Sequence, residues 1–308
     1  LGQNMYGSAL ANVAVKELLQ NAFDGVKSAI YNSIDKGKYK VGKIDIVINH
    51  NDRTVTVHDD SIGMSPDILQ KAFFTVGGSD KQNLPPELLS GGFGLAKVGF
   101  MVSTESMKVV TISNGVQSTV DASSRDIRAS NFDIVIEDAP KNKHGTTVTV
   151  KIPETFKDKK GEDQHIWFPY SASSVDILNK PLIGNVEVTF TTKTYADSEG
   201  EKITVPIGVN TDFKKTPKLT TATFSWGTAD IYLGVERIPD GSYGKHRVLS
   251  SGVYQFDANF RLNEKEKIPF DVIVDIKPNV KASDIDYPFE NSRERFKSRI
   301  DADIKSLQ

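Results

Sequence analysis

Apolar residues recur at helical spacing from about Tyr6 to Asn32, where Ala and Leu are frequent and only Gly7 and Gly25 interrupt. The period then changes to two. KIDIVINH (Lys43 to His50) and RTVTVHDD (Arg53 to Asp60) alternate apolar and polar positions, and the polar Asn51–Asp52 pair between them predicts an antiparallel hairpin. Ser65 as N-cap and Pro66 at the first helical position open a short helix that runs to Phe74. The stretch from Val76 to Gly94 is rich in Gly, Pro and polar residues, and a connection of that length predicts a lid or a disordered segment rather than an inert loop. Strands follow at MKVVTIS, VQSTVDA, FDIVIED and TTVTVKI. The expected architecture is α+β, a helical layer over one face of a mixed sheet, ending near Pro153.

Residues Glu154 to Gln164 are charged and aperiodic, which places the domain boundary there and predicts domains at 1–155 and 165–308. The second half has strand patterns at VEVTFTTKTY, KITVPIGV, TATFSW, ADIYLGVERI, VLSSGVYQF and FDVIVDIKP, and a terminal helix from about Asn291 to Leu307. No internal repeat or low-complexity tract interrupts this order.

Composition adds limits. A chain of 308 residues fits two ordinary domains better than one core. With 38% hydrophobic and 25% charged residues it reads as soluble and globular. The formal net charge of -2 gives no average attraction to a polyanion and leaves a local basic face open. The absence of cysteine excludes disulfides and thiolate metal sites. No run approaches the roughly 18 apolar residues of a membrane span and no signal peptide opens the chain, so a cytoplasmic protein without membrane partners is expected. The first residue is Leu1 rather than methionine, so neighbouring domains are expected.

Candidate chemistry begins in VKELLQNAFDG. Glu17, Asn21 and Asp24 are spaced i, i+4 and i+7 and project from one helix face, with Leu18, Leu19, Ala22 and Phe23 supplying the seat in a core. An amide oxygen at Asn21 suits a hard cation such as Mg²⁺, and Glu17 one turn earlier can accept a proton from an attacking water. The plain alternative is a solvated polar stripe. VHDDSIGMS (Val57 to Ser65) ends a strand in an acidic pair and a turn. It leaves Asp59 placed to accept a hydrogen bond from an exocyclic amine, and Gly63 lets backbone approach a base. SGGFGLAKVGF (Ser90 to Phe100) sets Gly91, Gly92 and Gly94 before a helical run, where free N–H groups can cradle phosphate oxygens. Lys97 either adds charge there or faces solvent. This is neither a P-loop nor a Rossmann fingerprint. In HGTTVTV (His144 to Val150), Gly145 and Thr146 begin a strand whose hydroxyl can reach the Asp59 carboxylate or an intervening water.

In order and spacing these four segments resemble the superfamily of gyrase, MutL, the large heat-shock chaperones and histidine kinases, which shares the Bergerat ATP-binding fold. ELLQNAFDG is similar to its ExxxNAxD helix, DDSIGM to its DxGxG turn, GGFGLA to its lid glycines and HGTTV to its GT-strand. The resemblance implies a Bergerat-type α/β sandwich, with a mixed and mainly antiparallel sheet covered by helices. It implies ATP and Mg²⁺ as cofactors, Glu17 as general base, Asn21 as metal ligand, Asp24 as support for the magnesium–water network and Asp59 as adenine reader. Gly63 and Met64 of the turn and Thr146 of the GT-strand join the nucleotide site. In the lid, GGSDK is similar to the family's Ser/Lys segment, which adds Gly77, Gly78, Ser79 and Lys81. Gly91, Gly92, Phe93, Gly94, Leu95, Ala96 and Lys97 would wrap the phosphates. Ser61 replaces the first glycine of the DxGxG turn, and Ala96 gives a GxxGxA form closer to MutL.

VIVDIKPNVKASDIDYPFENSRERFKSRI (Val272 to Ile300) looks like the end of a MutL transducer domain, implying a transducer-like α+β second domain. The lysine that meets the γ-phosphate in that branch corresponds to Lys281, with Lys277 as competitor. The resemblance implies a slow, Mg²⁺-dependent ATPase acting as an ATP-gated homodimeric clamp of MutL or topoisomerase type on duplex DNA. The alternatives are a chaperone-like ATPase acting on protein clients and a nucleotide-dependent dimerisation switch with negligible hydrolysis.

Overall fold

In the computed structural model the described residues are 7–32, 42–74, 101, 103–171, 174–179, 186–193, 203–208, 218–224, 227–234, 244–258 and 268–278. They form two units, one reaching to Gly208 and the other starting at Lys218.

In the first unit, a 3-10 turn leads into helix α1 (Leu10–Asn32). Strands β1 (Gly42–Asn49) and β2 (Thr54–Asp59) follow as the expected hairpin. Helix α2 (Pro66–Ile68) is capped by Ser65, whose hydroxyl accepts the Ile68 N–H, and continues as a wide π turn over Leu69–Phe73. Then come β3 (Ser106–Ser113), β4 (Val116–Ser123), the short helix α3 (Ser124–Ala129), β5 (Val135–Asp138) and β6 (Gly145–Lys151). A small hairpin, β7 (Thr155–Lys157) and β8 (Asp163–His165), occupies the charged stretch read as a boundary. Two further strands, β9 (Val186–Lys193) and β10 (Ile203–Gly208), complete an eight-stranded sheet in the order β10-β9-β1-β2-β6-β3-β4-β5. All neighbours are antiparallel except β1 and β9, so the sheet is mixed and mainly antiparallel, as expected for the Bergerat sandwich.

The expected boundary near 154–164 therefore does not end the first sheet. VEVTFTTK was assigned to the second half but lies parallel to β1, with Val188 opposite Ile44 and Phe190 opposite Ile46. An alternating strand carries no mark of which sheet it joins. What decides is that β1 needs a partner on its second edge.

Helix α1 crosses β1, β2 and β6, and its Leu18, Leu19, Phe23 and Val26 are buried. Beneath it, one cross-strand row reads Phe190, Ile46, Val57, Val148, Val109 and Val120, all buried. Burying a side chain of this size contributes roughly 1.5–3 kcal/mol, so this row anchors the layer. The next row, two residues along each strand, reads Val188, Ile44, Asp59, Thr146, Thr111 and Ser118. Its apolar character stops at β1. Four polar residues on four adjacent strands form a ledge at that end of the core.

The second unit is a five-stranded sheet of β11 (Lys218–Phe224), β12 (Gly227–Leu233), β13 (His246–Ser250), β14 (Val253–Ala258) and β15 (Val272–Pro278), in the order β11-β12-β15-β13-β14. VLSSGVYQF, read as one strand, is the hairpin β13–β14, because Ser251 and Gly252 both adopt positive φ and reverse the chain in two residues. One face packs Ala229, Val248, Val272, Val274 and Ile276. The opposite face carries Asp230 directly across from Asp275, a like-charge pair that would be destabilising alone. Lys277 answers it by hydrogen bonding to Asp230, which also receives the Thr221 hydroxyl at 2.6 Å and lies 3.4 Å from the Lys218 ammonium. The expected terminal helix at 291–307 lies outside the described residues. Among the described residues, no helix is long and apolar enough to cross a membrane.

Candidate functional site

The polar stripe of α1 is not a solvated face. Glu17 is 8% exposed and Asp24 1%, whereas a solvent-facing stripe on a surface helix stays open. Asp24 lies 3.4 Å from the Lys27 ammonium one turn on, and Lys27 also covers the Phe23 ring. Asn21 stands between the two acids, with its buried amide nitrogen lacking a hydrogen-bond partner. A buried amide without a partner costs about 1–3 kcal/mol, which a folded protein accepts where a ligand completes the pairing.

The DDSIGM turn rests on the polar ledge. Burial pushes the Asp59 carboxyl up to about 6, against the downward pull of hydrogen bonds from the Ser61 side chain and backbone N–H and of nearby His58. Asp60 turns the other way and accepts the Lys43 N–H at 2.8 Å. Two glycines let the turn lie on the sheet. Gly63 (φ +70) carries no side chain because a Cβ would fall 2.0 Å from the Ile112 carbonyl oxygen. Gly145 (φ +122) is under the same constraint, since a Cβ there would be 2.3 Å from the carbonyl oxygen of Asp59. The close approach that Gly63 makes is thus to strand β3 of its own sheet.

Along the ledge, Thr146 and Thr111 share a hydroxyl–hydroxyl hydrogen bond of 3.0 Å, and the Met64 N–H donates to Thr111 Oγ1 at 2.8 Å. Ser118 ends the row with its hydroxyl buried and without a partner. Thr111 was missed from sequence. Its signal was present in MKVVTIS, where the inward positions run Met107, Val109, Thr111 and the third is polar. Within the first unit, then, the structure places Asp59, Gly63, Met64 and Thr146 together at one end of the sheet, under α1. Gly25, the residue after Asp24, packs against Ser61 and Asp59. Gly77, Gly78, Ser79, Lys81, Gly91, Gly92, Phe93, Gly94, Leu95, Ala96, Lys97 and Lys281 lie outside the described residues.

The donor set fits a nucleotide with a hard cation. Glu17, Asn21 and Asp24 offer only oxygen and amide groups, and among the described residues no three His, Cys, Asp or Glu side chains form a closed metal cage. Mg²⁺ typically takes one or two protein ligands and leaves the rest to phosphate and water, which suits an open set of this kind.

Comparison with known proteins bears on the same segment. Residues 8–155 match the family of histidine kinase-, DNA gyrase B- and HSP90-like ATPases. The first domain belongs to this ATPase superfamily. It is an ATP-binding module of the Bergerat type, and the match ends at 155, before β9 and β10 complete its sheet. The chain is also similar to the chaperone protein HtpG of Sulfurovum sp. (strain NBC37-1), 24% identical over 159 residues. That alignment takes in 47% of this chain and 25% of HtpG, so the chain spans about a quarter of that relative's length.

Proposed function

We propose that this chain is the nucleotide-gated part of an ATPase clamp in which Glu17 activates water, Asn21 holds Mg²⁺ and Asp59 reads adenine. The observation that carries the reading is the burial of Glu17 and Asp24 on either side of Asn21, whose Nδ2 donor has no partner and suits an acceptor such as a phosphate oxygen, leaving the amide oxygen for the metal. Asp24 is held beside the Lys27 ammonium, and the Glu17 carboxyl one turn from Asn21 lies within reach of a water beside a metal-bound phosphate. Mg²⁺ when bound neutralises phosphate charge. The chain's own groups do the rest: Asp59 accepts the exocyclic amine, Thr146 and Thr111 line the base, and Glu17 takes the proton of the attacking water. The lid segments at 77–81 and 91–97 close over the phosphates, with Gly91, Gly92 and Gly94 wrapping them. Phosphoryl transfer needs mostly positioning and charge stabilisation, which this arrangement supplies. Lys277 is engaged by Asp230, and that supports Lys281 as the lysine that meets the γ-phosphate.

Turnover is slow, and ATP drives association of two copies through closure of the lid. The similarity to HtpG supports a protein client for the clamp, while the MutL resemblance of residues 272–300 supports duplex DNA. The test is Mg²⁺-dependent ATP turnover by wild type and Glu17→Ala, with nucleotide affinity measured on both. The variant should bind ATP and lose turnover by about 10²–10⁴-fold, the usual contribution of a general base. Equal background turnover in both would refute hydrolysis and leave a nucleotide-dependent switch. Salt-sensitive binding to duplex DNA identifies the DNA clamp, and ATP-dependent suppression of client aggregation identifies the chaperone.

A further inference from the structure

Ser61 stands where the resembling motif has glycine, and the structure gives its side chain a defined place. It is 5% exposed and sits between Asp59 and helix α1. Its backbone N–H donates to Asp59 Oδ1 at 3.1 Å, and its hydroxyl hydrogen bonds to the same carboxylate. The hydroxyl oxygen in turn accepts the Gly63 N–H at 3.4 Å, and the Ser61 carbonyl is bound by His144 Nδ1 at 2.7 Å. The polar groups of Ser61 are thus all engaged, in a relay from the Gly63 N–H through the hydroxyl to Asp59. Such relays polarise along their length and hold the terminal acceptor in one orientation.

The room for this hydroxyl comes from α1. A Cβ at Gly25 would lie 3.3 Å from Ser61 Oγ, 3.4 Å from its Cβ and 3.9 Å from Asp59 Oδ1. The small residue on the helix and the larger one in the turn fit each other. A carboxylate has acceptor sites on both oxygens. Occupying some of them with the Ser61 hydroxyl and N–H leaves the rest in a fixed direction.

We infer that Ser61 is a positioning residue for purine selection: its hydroxyl aims the Asp59 carboxylate at the exocyclic amine of adenine, and Gly25 keeps the space that lets it do so. This rests on the reading of Asp59 as the adenine acceptor. The hydroxyl acts through Asp59, so its removal weakens nucleotides that carry the amine and spares those that do not.

The experiment measures equilibrium affinity of the full chain for ATP and for inosine triphosphate, which has a carbonyl in place of the amine. Wild type, Ser61→Ala and Ser61→Thr are compared, with circular dichroism on each. Wild type should prefer ATP. Ser61→Ala should lose about tenfold in ATP affinity, the scale of one hydrogen bond to a charged group, with inosine triphosphate unchanged. Ser61→Thr retains the hydroxyl and should retain the preference. Equal weakening of both nucleotides in Ser61→Ala, or a preference kept in full, overturns the role of Ser61. A wild type that does not distinguish the two nucleotides overturns the adenine reading of Asp59 itself, and the two failures are separable.

Discussion

Asp59→Asn is expected to stabilise the ATP-binding domain at neutral pH and, with Asp59 as the proposed adenine acceptor, to weaken ATP binding. The carboxyl ordinarily titrates at 3.8 and in the folded protein at about 6, because burial penalises its charged form more than Ser61 favours it. Between those values the folded state holds more protons than the unfolded chain, so stability is lost as pH rises through the window and stays lost above it. A difference of about two pH units corresponds to about 3 kcal/mol at about pH 7.5, and to about 1.5 kcal/mol at about pH 5, where part of the penalty is absent. Asparagine keeps an oxygen for the Ser61 N–H and hydroxyl and carries no charge to bury. Relative to wild type, the variant should therefore gain more stability at the higher pH. Urea unfolding can be followed by Trp167 fluorescence in a Trp226→Phe background, the chain having two tryptophans. An offset that is the same at both pH values, or a variant less stable than wild type at about pH 7.5, would refute the reasoning. ATP titration of the same samples should show the binding loss that accompanies the stability gain.

Two further substitutions test the frame around the site and the second sheet. Gly145→Ala places a Cβ 2.3 Å from the Asp59 carbonyl at φ +122, and should cost about 2–4 kcal/mol of stability together with ATP affinity, read by thermal unfolding and nucleotide titration. Lys277→Ala leaves Asp230 buried opposite Asp275, and should speed hydrogen exchange at β12 and β15 amides by an amount equivalent to about 2–3 kcal/mol. Adding Asp230→Asn should restore most of it, because the repulsion of Asp275 by a neighbour then compensated only by Lys218 and Thr221 is gone.

Most of the first unit was legible because its periods are clean. The inward positions of KIDIVINH and RTVTVHDD fall on one face of the hairpin with α1 above it, and Ser65–Pro66 opens α2 as its chemistry requires. Two things were not legible. The first is sheet membership: Val186 to Lys193 alternates like any strand, and only the open edge of β1 explains why it joins there. The second is the ledge, since Thr111 and Ser118 are distant in sequence from Asp59 and reach it through register across β6 and β3. VLSSGVYQF alternates like one strand, whereas the left-handed pair Ser251–Gly252 turns it into a hairpin. Within the site, the spacing of Glu17, Asn21 and Asp24 showed that they share a face. The burial of Glu17 and Asp24 came only from the structure, and it rules out a solvated stripe at those two positions.

The parallel pairing of β1 with β9 also imposes a schedule on synthesis. Strand β1 leaves the ribosome some 140 residues before the segment that covers its outer edge, as the register of Gly42 with Val186 sets out. Until then a row of backbone donors and acceptors beside Ile44, Ile46 and Ile48 has no partner, and such edges recruit other chains. A fragment cut at 155 keeps every residue of the family match and loses that cover. A fragment cut after Gly208 keeps the whole sheet. For anyone expressing the ATP-binding module alone, the later cut is the one the register calls for.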